Sequence, residues 1–138
     1  MDKLVLAQKL ESLRRCLQRI EQKRPATVAA LETDADLQDV IVLNLTRTVQ
    51  LSVDIASHIV SQSNEPSPST MGETFLTLMH LGIIDQPTSE SLRKAVGFRN
   101  IAVHNYEAIN WEIVFNICER KLGDFRQFAR AVIEYVGL

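Results

Sequence analysis

Apolar residues recur at spacings of three and four along nearly the whole chain, and this periodicity confines it to an all-α fold. Leu6, Leu10, Leu13, Leu17 and Ile20 make a regular stripe that stops at Pro25. Asp34 or Asp36 can cap a second long helix from about Leu37 to Ser61, with Val40, Leu43, Leu51, Ile55 and Ile59 inward. The polar run Asn64 to Ser69 carries two prolines and predicts a loop. Thr70 and Glu73 have the spacing of a capping box and open a third helix through Leu81, which Gly82 ends. Pro87 and Thr88 open a fourth helix running to about Tyr106, and Asn110 caps a last one from Trp111 to Val136. Five Gly and four Pro in 138 residues are too few turns for a β-sandwich. The pattern predicts a single domain over residues 1–138, an up-and-down bundle of about five helices with no internal repeat.

A chain with 46% hydrophobic and 23% charged residues is not wholly disordered. Its length suffices to bury roughly two-thirds of the unfolded surface in one core. No apolar run approaches the ~18 residues of a membrane span, and no signal-peptide stretch stands at its start. Cys16 and Cys118 lie inside helical patterns without metal-ligand spacing, so they read as free thiols of a soluble, cytoplasmic protein. The net charge of −2 is unevenly spread. Residues 1–24 carry seven Lys/Arg against three Asp/Glu, residues 25–87 one (Arg47) against eight, and residues 88–138 seven against six. A chain that coats nucleic acid through many phosphate contacts is normally basic overall. Any nucleic-acid chemistry here is therefore local, or depends on assembly of more than one chain. The stripe from Leu6 to Ile20 is open to two readings, one wall of the core or part of a two-fold interface.

Few residues offer chemistry. His58, His80 and His104 are scattered, without the His-x-x-x-His spacing of a zinc site. His80 sits among Leu78, Met79 and Leu81 and reads as structural. There is no Gly-rich phosphate loop, no nucleophile elbow and no spaced carboxylate pair. One stretch stands out: GFRNIAVHNY, Gly97 to Tyr106. It holds a permanent cation (Arg99), an amide (Asn100), an imidazole (His104) and a phenol (Tyr106) within eight positions. An Arg fork suits phosphate, and an imidazole with an unperturbed pKa of about 6.5 suits proton transfer. Together they are the parts for cleaving RNA without a metal. Imidazole takes the 2′-hydroxyl proton or protonates the leaving oxygen, while Arg steadies charge on the phosphoryl oxygens.

Helix geometry constrains that idea. At ~100° per residue, Arg99 and Tyr106 share one face, Asn100 and His104 another, and Arg99 and His104 stand roughly 140° apart. Three arrangements would still unite Arg99 with His104: the helix loosens near His104, the long Arg side chain curls round, or a second chain completes the site. Leu92, Val96 and Val103 lie on the Arg99 side, so a partly buried Arg99 paired with an acid such as Asp54 is the purely structural alternative.

GFRN followed by VH-x-Y, late on the fourth helix of a small all-α chain, resembles the signature of the HEPN superfamily, and within it the HepT-type toxins. The matching residues are Arg99, Asn100, His104 and Tyr106, and the preceding stretches LMHLGIID and LRKAVGF are similar as well. The resemblance implies a toxin of a toxin–antitoxin pair: a metal-independent endoribonuclease with no cofactor, acting as a homodimer with Arg and His of both protomers lining one cleft. Arg99 and His104 would then be catalytic, with Asn100 and Tyr106 supporting RNA contact. It further implies a minimal nucleotidyltransferase antitoxin that transfers AMP to Tyr106, placing negative charge in the RNA cleft. Ile101, Ala102 and Asn105 depart mildly from the common pattern. The alternatives are a non-catalytic HEPN module that binds its nucleotidyltransferase and a structural dimeric bundle, which the pI of about 5.9 favours slightly.

Overall fold

A computed structural model describes Met1–Leu138. Long helices dominate: α1 (Lys3–Lys23), α3 (Ala35–Ser61), α4 (Met71–His80), α5 (Gln86–His104) and α7 (Leu122–Val136). Two short ones join them, α2 (Val28–Glu32) and α6 (Trp111–Asn116). There is no β-strand, as the periodicity requires. α1 packs along α3, the α4–α5 hairpin lies against α3, and α7 returns against α5 and α1. No helix is long and apolar enough to cross a membrane.

The boundaries follow from local chemistry. Asp2, Thr27, Asp34, Thr70, Asp85 and Asn110 each cap a helix with a side-chain oxygen that accepts a free N–H of the first turn. Asp34 rather than Asp36 caps α3. At α4, Thr70 accepts from the Glu73 N–H, but the Glu73 carboxylate reaches back to Ser69, taking both its N–H (2.9 Å) and its hydroxyl (2.8 Å). The capping box is thus displaced by one residue. Gly82 ends the α4 turn with φ +76°, a left-handed conformation that suits glycine.

Three features differ from the sequence reading. Residues 28–32 form the short α2 because Thr27 supplies a cap and Leu31 a buried anchor. The last helix is not continuous: a π segment, Ile117–Lys121, separates α6 from α7. Arg24 reaches across and donates to the Cys118 carbonyl at 3.1 Å, pairing backbone at the irregular turn. The inward face of α3 is also different. Ile55 and Ile59 are buried as expected, but Val40 and Leu51 are only partly so and Leu43 is 57% exposed. The inward stripe instead includes Asn44, Thr48 and Ser52. Their side chains donate to the carbonyls of Val40, Asn44 and Thr48 at 2.7–2.8 Å, so these small polar groups are buried without loss of hydrogen bonding.

The core is one contiguous cluster of 29 residues. Phe75 of α4 and Phe128 of α7 meet at its centre, fully buried, edge to face with centroids 5.8 Å apart. This contact ties α4 to α7, and Leu92 and Val96 of α5 belong to the same core. Phe128→Ala is expected to destabilise the fold by about 3–5 kcal/mol in denaturant unfolding. A loss below about 1 kcal/mol would show that the site rests on some other contact.

Candidate functional site

The wall of the site is one stripe of α5. Arg93, Gly97, Asn100 and His104 are spaced four, three and four, within an arc of about 60°. They border an open cavity of ≈ 560 Å³ closed on its other side by Thr70, Met71 and Gly72 at the start of α4. Arg99 lines the same cavity although its Cα faces elsewhere. Its side chain curls round the helix, and Nη1 donates to the Asn100 Oδ1 at 3.2 Å. One chain therefore unites Arg99, Asn100 and His104, and the angular offset does not itself require a second protomer.

The structural alternative for Arg99 does not hold. Asp54 is engaged by Lys9 (3.6 Å) and by the Gln50 amide (2.9 Å). Arg99 forms no ion pair; it is half-buried, and its Nε is shut away without an acceptor. Apart from the bond from Nη1 to Asn100, the guanidinium's donors are unused, and an anionic oxygen in the cavity would satisfy those of its Nη groups. The first N–H groups of α4 border the same cavity and favour negative charge there. On that side of Arg99, Leu92 and Val96 are buried as expected, but Val103 is exposed.

Tyr106 lies apart. α5 ends at His104 rather than continuing to Tyr106: Asn105 leaves helical geometry (φ −151°, ψ 67°) while its N–H still bonds the Ile101 carbonyl. Tyr106 begins a 3₁₀ turn, Tyr106–Ala108, and does not line the cavity. It is 39% exposed, and its hydroxyl donates to the Asp39 carboxylate of α3 at 2.7 Å. Its ring meets Trp111 edge-on at 6.1 Å. Burial of the ring, then the hydrogen bond to Asp39 and that carboxylate's charge, push the phenol from 10.0 to about 12.

Two functional candidates escaped the sequence reading. Arg93 was legible in principle, since it lies on the Gly97–Asn100–His104 stripe. Asp39, 67 residues from its tyrosine, carried no local signal. The other histidines stand elsewhere: His80 is exposed rather than structural, and His58 accepts the Asp2 N–H at 3.2 Å. Both thiols are buried and free, and burial pushes Cys118 up to about 12. A larger groove of ≈ 710 Å³ between α1 and α7 is mostly apolar and contains no histidine. Two of its arginines are already engaged, Arg126 with Glu21 and Arg14 with Glu11.

Comparison with known proteins identifies the fold and its family. Residues 13–132 match the family described as Ribonuclease HepT-like. The chain is 37% identical over 124 residues to the mRNA nuclease HepT of Shewanella oneidensis, covering 90% of this chain and 92% of the relative. A solved tri-AMPylated HEPN toxin of Shewanella oneidensis, in complex with an MNT antitoxin, superposes with a TM-score of 0.89 at 35% identity, over 97% of this chain and 99% of that one. A toxin–antitoxin solved with AMP-PNP gives a TM-score of 0.88 at 35% identity, over 94% and 98% of the two chains. An all-α bundle that superposes on such toxins over nearly its whole length has the HEPN fold. The chain belongs to the HepT-like family of HEPN proteins.

The raised phenol gives a direct check. A group whose folded pKa is raised contributes stability fully present below its unfolded value, here 10.0, and lost as pH rises through about 12. Asp39→Asn removes the charge but keeps an acceptor, so Tyr106 is expected to ionise at lower pH. Ultraviolet titration, with Tyr106→Phe to separate Tyr135, reads the shift. An unchanged titration would show that Asp39 does not act on the phenol.

Proposed function

We propose that this chain is the toxin of a toxin–antitoxin pair and a metal-independent endoribonuclease acting in the cytoplasm, with RNA cleaved in the Arg99–His104 cavity. The observation that carries the reading is the convergence of Arg99, Asn100 and His104 on one cavity beside the start of α4. The relative's name as an mRNA nuclease supports it.

In this mechanism the scissile phosphate sits against the Arg99 fork, with Asn100 holding that fork in register and Arg93 adding charge at the rim. The 2′-oxygen attacks phosphorus, the bond to the 5′-oxygen breaks, and a 2′,3′-cyclic phosphate and a 5′-hydroxyl result. His104 moves the proton, from the 2′-hydroxyl or to the 5′-oxygen. Arg99 stabilises the charge that builds on the phosphoryl oxygens. No cofactor is needed for these steps. One cavity holds a single imidazole, whereas the reaction uses both a base and an acid. A homodimer whose two cavities open on one groove would supply the second, which is the physical argument for two protomers.

The partner in this reading is a minimal nucleotidyltransferase antitoxin that AMPylates Tyr106, as the AMPylated toxin bound to an MNT antitoxin suggests. Tyr106 is two residues from His104, so a phosphodiester anion attached there competes with RNA for the charge of Arg93 and Arg99.

Purified protein is expected to cut RNA in EDTA and leave cyclic phosphate ends. His104→Ala should lower the rate about 10²–10⁴-fold, and Arg99→Ala about 10²–10³-fold. Cleavage surviving both changes together would exclude this cavity. Gly97 tests the same site without touching its chemistry. Glycine inside a helix costs roughly 0.5–1 kcal/mol, and a Cβ built at Gly97 meets nothing within 4 Å. Gly97→Leu is expected to keep or raise stability while filling the cavity and abolishing cleavage. Full activity in that variant would place the RNA elsewhere.

A further inference from the structure

We propose that Asp39 is the base for modification of Tyr106: it takes the phenolic proton as the tyrosine oxygen attacks the α-phosphorus of a nucleoside triphosphate. This rests on the reading of Tyr106 as the modified residue and deepens it, because the toxin chain itself then supplies a group for its own neutralisation.

The geometry is specific. The Tyr106 hydroxyl donates to Asp39 Oδ1 at 2.7 Å, the length of a hydrogen bond to an ionised acceptor. Asp39 has no ion pair, so its carboxylate is not committed to a cation. It is exposed on α3, on a different element from the tyrosine. Trp111 packs edge-on against the ring and holds it, and 39% of the residue's surface stays exposed to a partner. Among the charged groups of the 3₁₀ turn, of α3 and of α6, Asp39 is the one that acts on this phenol.

The chemistry needs such a group. With its ionisation pushed up to about 12, Tyr106 is neutral at ordinary pH and a weak nucleophile. Its proton must leave as the new bond forms, and the carboxylate is already hydrogen-bonded to it. Aspartate in the catalytic loop of protein kinases serves substrate hydroxyls in the same way. In the step itself, the Tyr106 oxygen bonds to the α-phosphorus, the bond from that phosphorus to the bridging oxygen breaks, and pyrophosphate leaves. The proton passes to Asp39 and then to water. The nucleoside triphosphate and the enzyme that binds it come from the nucleotidyltransferase partner. After transfer the donor hydrogen is gone and a phosphodiester anion faces the carboxylate, so the link to Asp39 cannot reform.

The test is transfer of AMP from ATP and magnesium by the cognate nucleotidyltransferase to the full chain, followed by intact mass over a range of pH. Asp39→Asn keeps an acceptor but removes the base. It is expected to lower kcat about 10²-fold near neutral pH with KM for the chain unchanged. Its rate should climb about tenfold per pH unit as the phenolate forms on its own, where the unaltered chain gives a flatter profile. Asp39→Glu should recover most of the rate, and RNA cleavage by unmodified Asp39→Asn should equal that of the parent. Normal transfer to Asp39→Asn, or a slowing equal at every pH with raised KM, would overturn the proposal, the second outcome leaving Asp39 as a docking contact. AMP transfer that persists in Tyr106→Phe would instead overturn the reading of Tyr106 as the modified residue.

Discussion

The position at which α5 stops decides how the motif is divided. His104 is the last helical residue, and the Asn105 N–H closes the ladder on Ile101 while its own backbone leaves the helix. Had the helix run one turn further, Tyr106 would share a face with Arg99 and its hydroxyl would be aimed away from Asp39. Because it stops, Arg99, Asn100 and His104 serve the cavity while the phenol is handed to α3. The cavity in turn depends on the packing of α4. The Phe75–Phe128 contact ties α4 to α7, Leu92 and Val96 bury α5 in the same core, and only with α4 in place does its start close the far wall.

Charge follows the same division. The cavity gathers Arg93, Arg99 and His104 with the positive end of α4, whereas the tyrosine is held by an anion. A phosphate of RNA is attracted to the first environment and repelled by the second. In the proposed modification, a phosphate attached to Tyr106 would be repelled by the Asp39 carboxylate. The proposed catalysis and its proposed inhibition are thus both matters of local charge, on a chain whose net charge is slightly negative.

Much of this was legible in the sequence, and the remainder was not for identifiable reasons. The caps at Asp34, Thr70 and Asn110 and the turn at Gly82 depend on near neighbours, so local pattern revealed them. The motif was legible because its residue types are unusual together, and the curling Arg99 was among the arrangements that its spacing allowed. The inward face of α3 was misread because Asn44, Thr48 and Ser52 satisfy themselves on their own helix, which a count of large apolar residues does not register. The π segment takes a hydrogen bond from Arg24, 94 residues from Cys118, and the Tyr106 partner lies 67 residues away. No periodicity encodes such contacts.

The most direct measurement is a crystal structure with a short RNA whose 2′-hydroxyl at the cleavage position is replaced by hydrogen, so that it binds and is not cut. The account predicts the scissile phosphate in the α4–α5 cavity, within hydrogen-bond reach of both Arg99 and His104, with Gly97 beneath it. A phosphate seated instead along the basic residues of α1, with the cavity open to solvent, would contradict it.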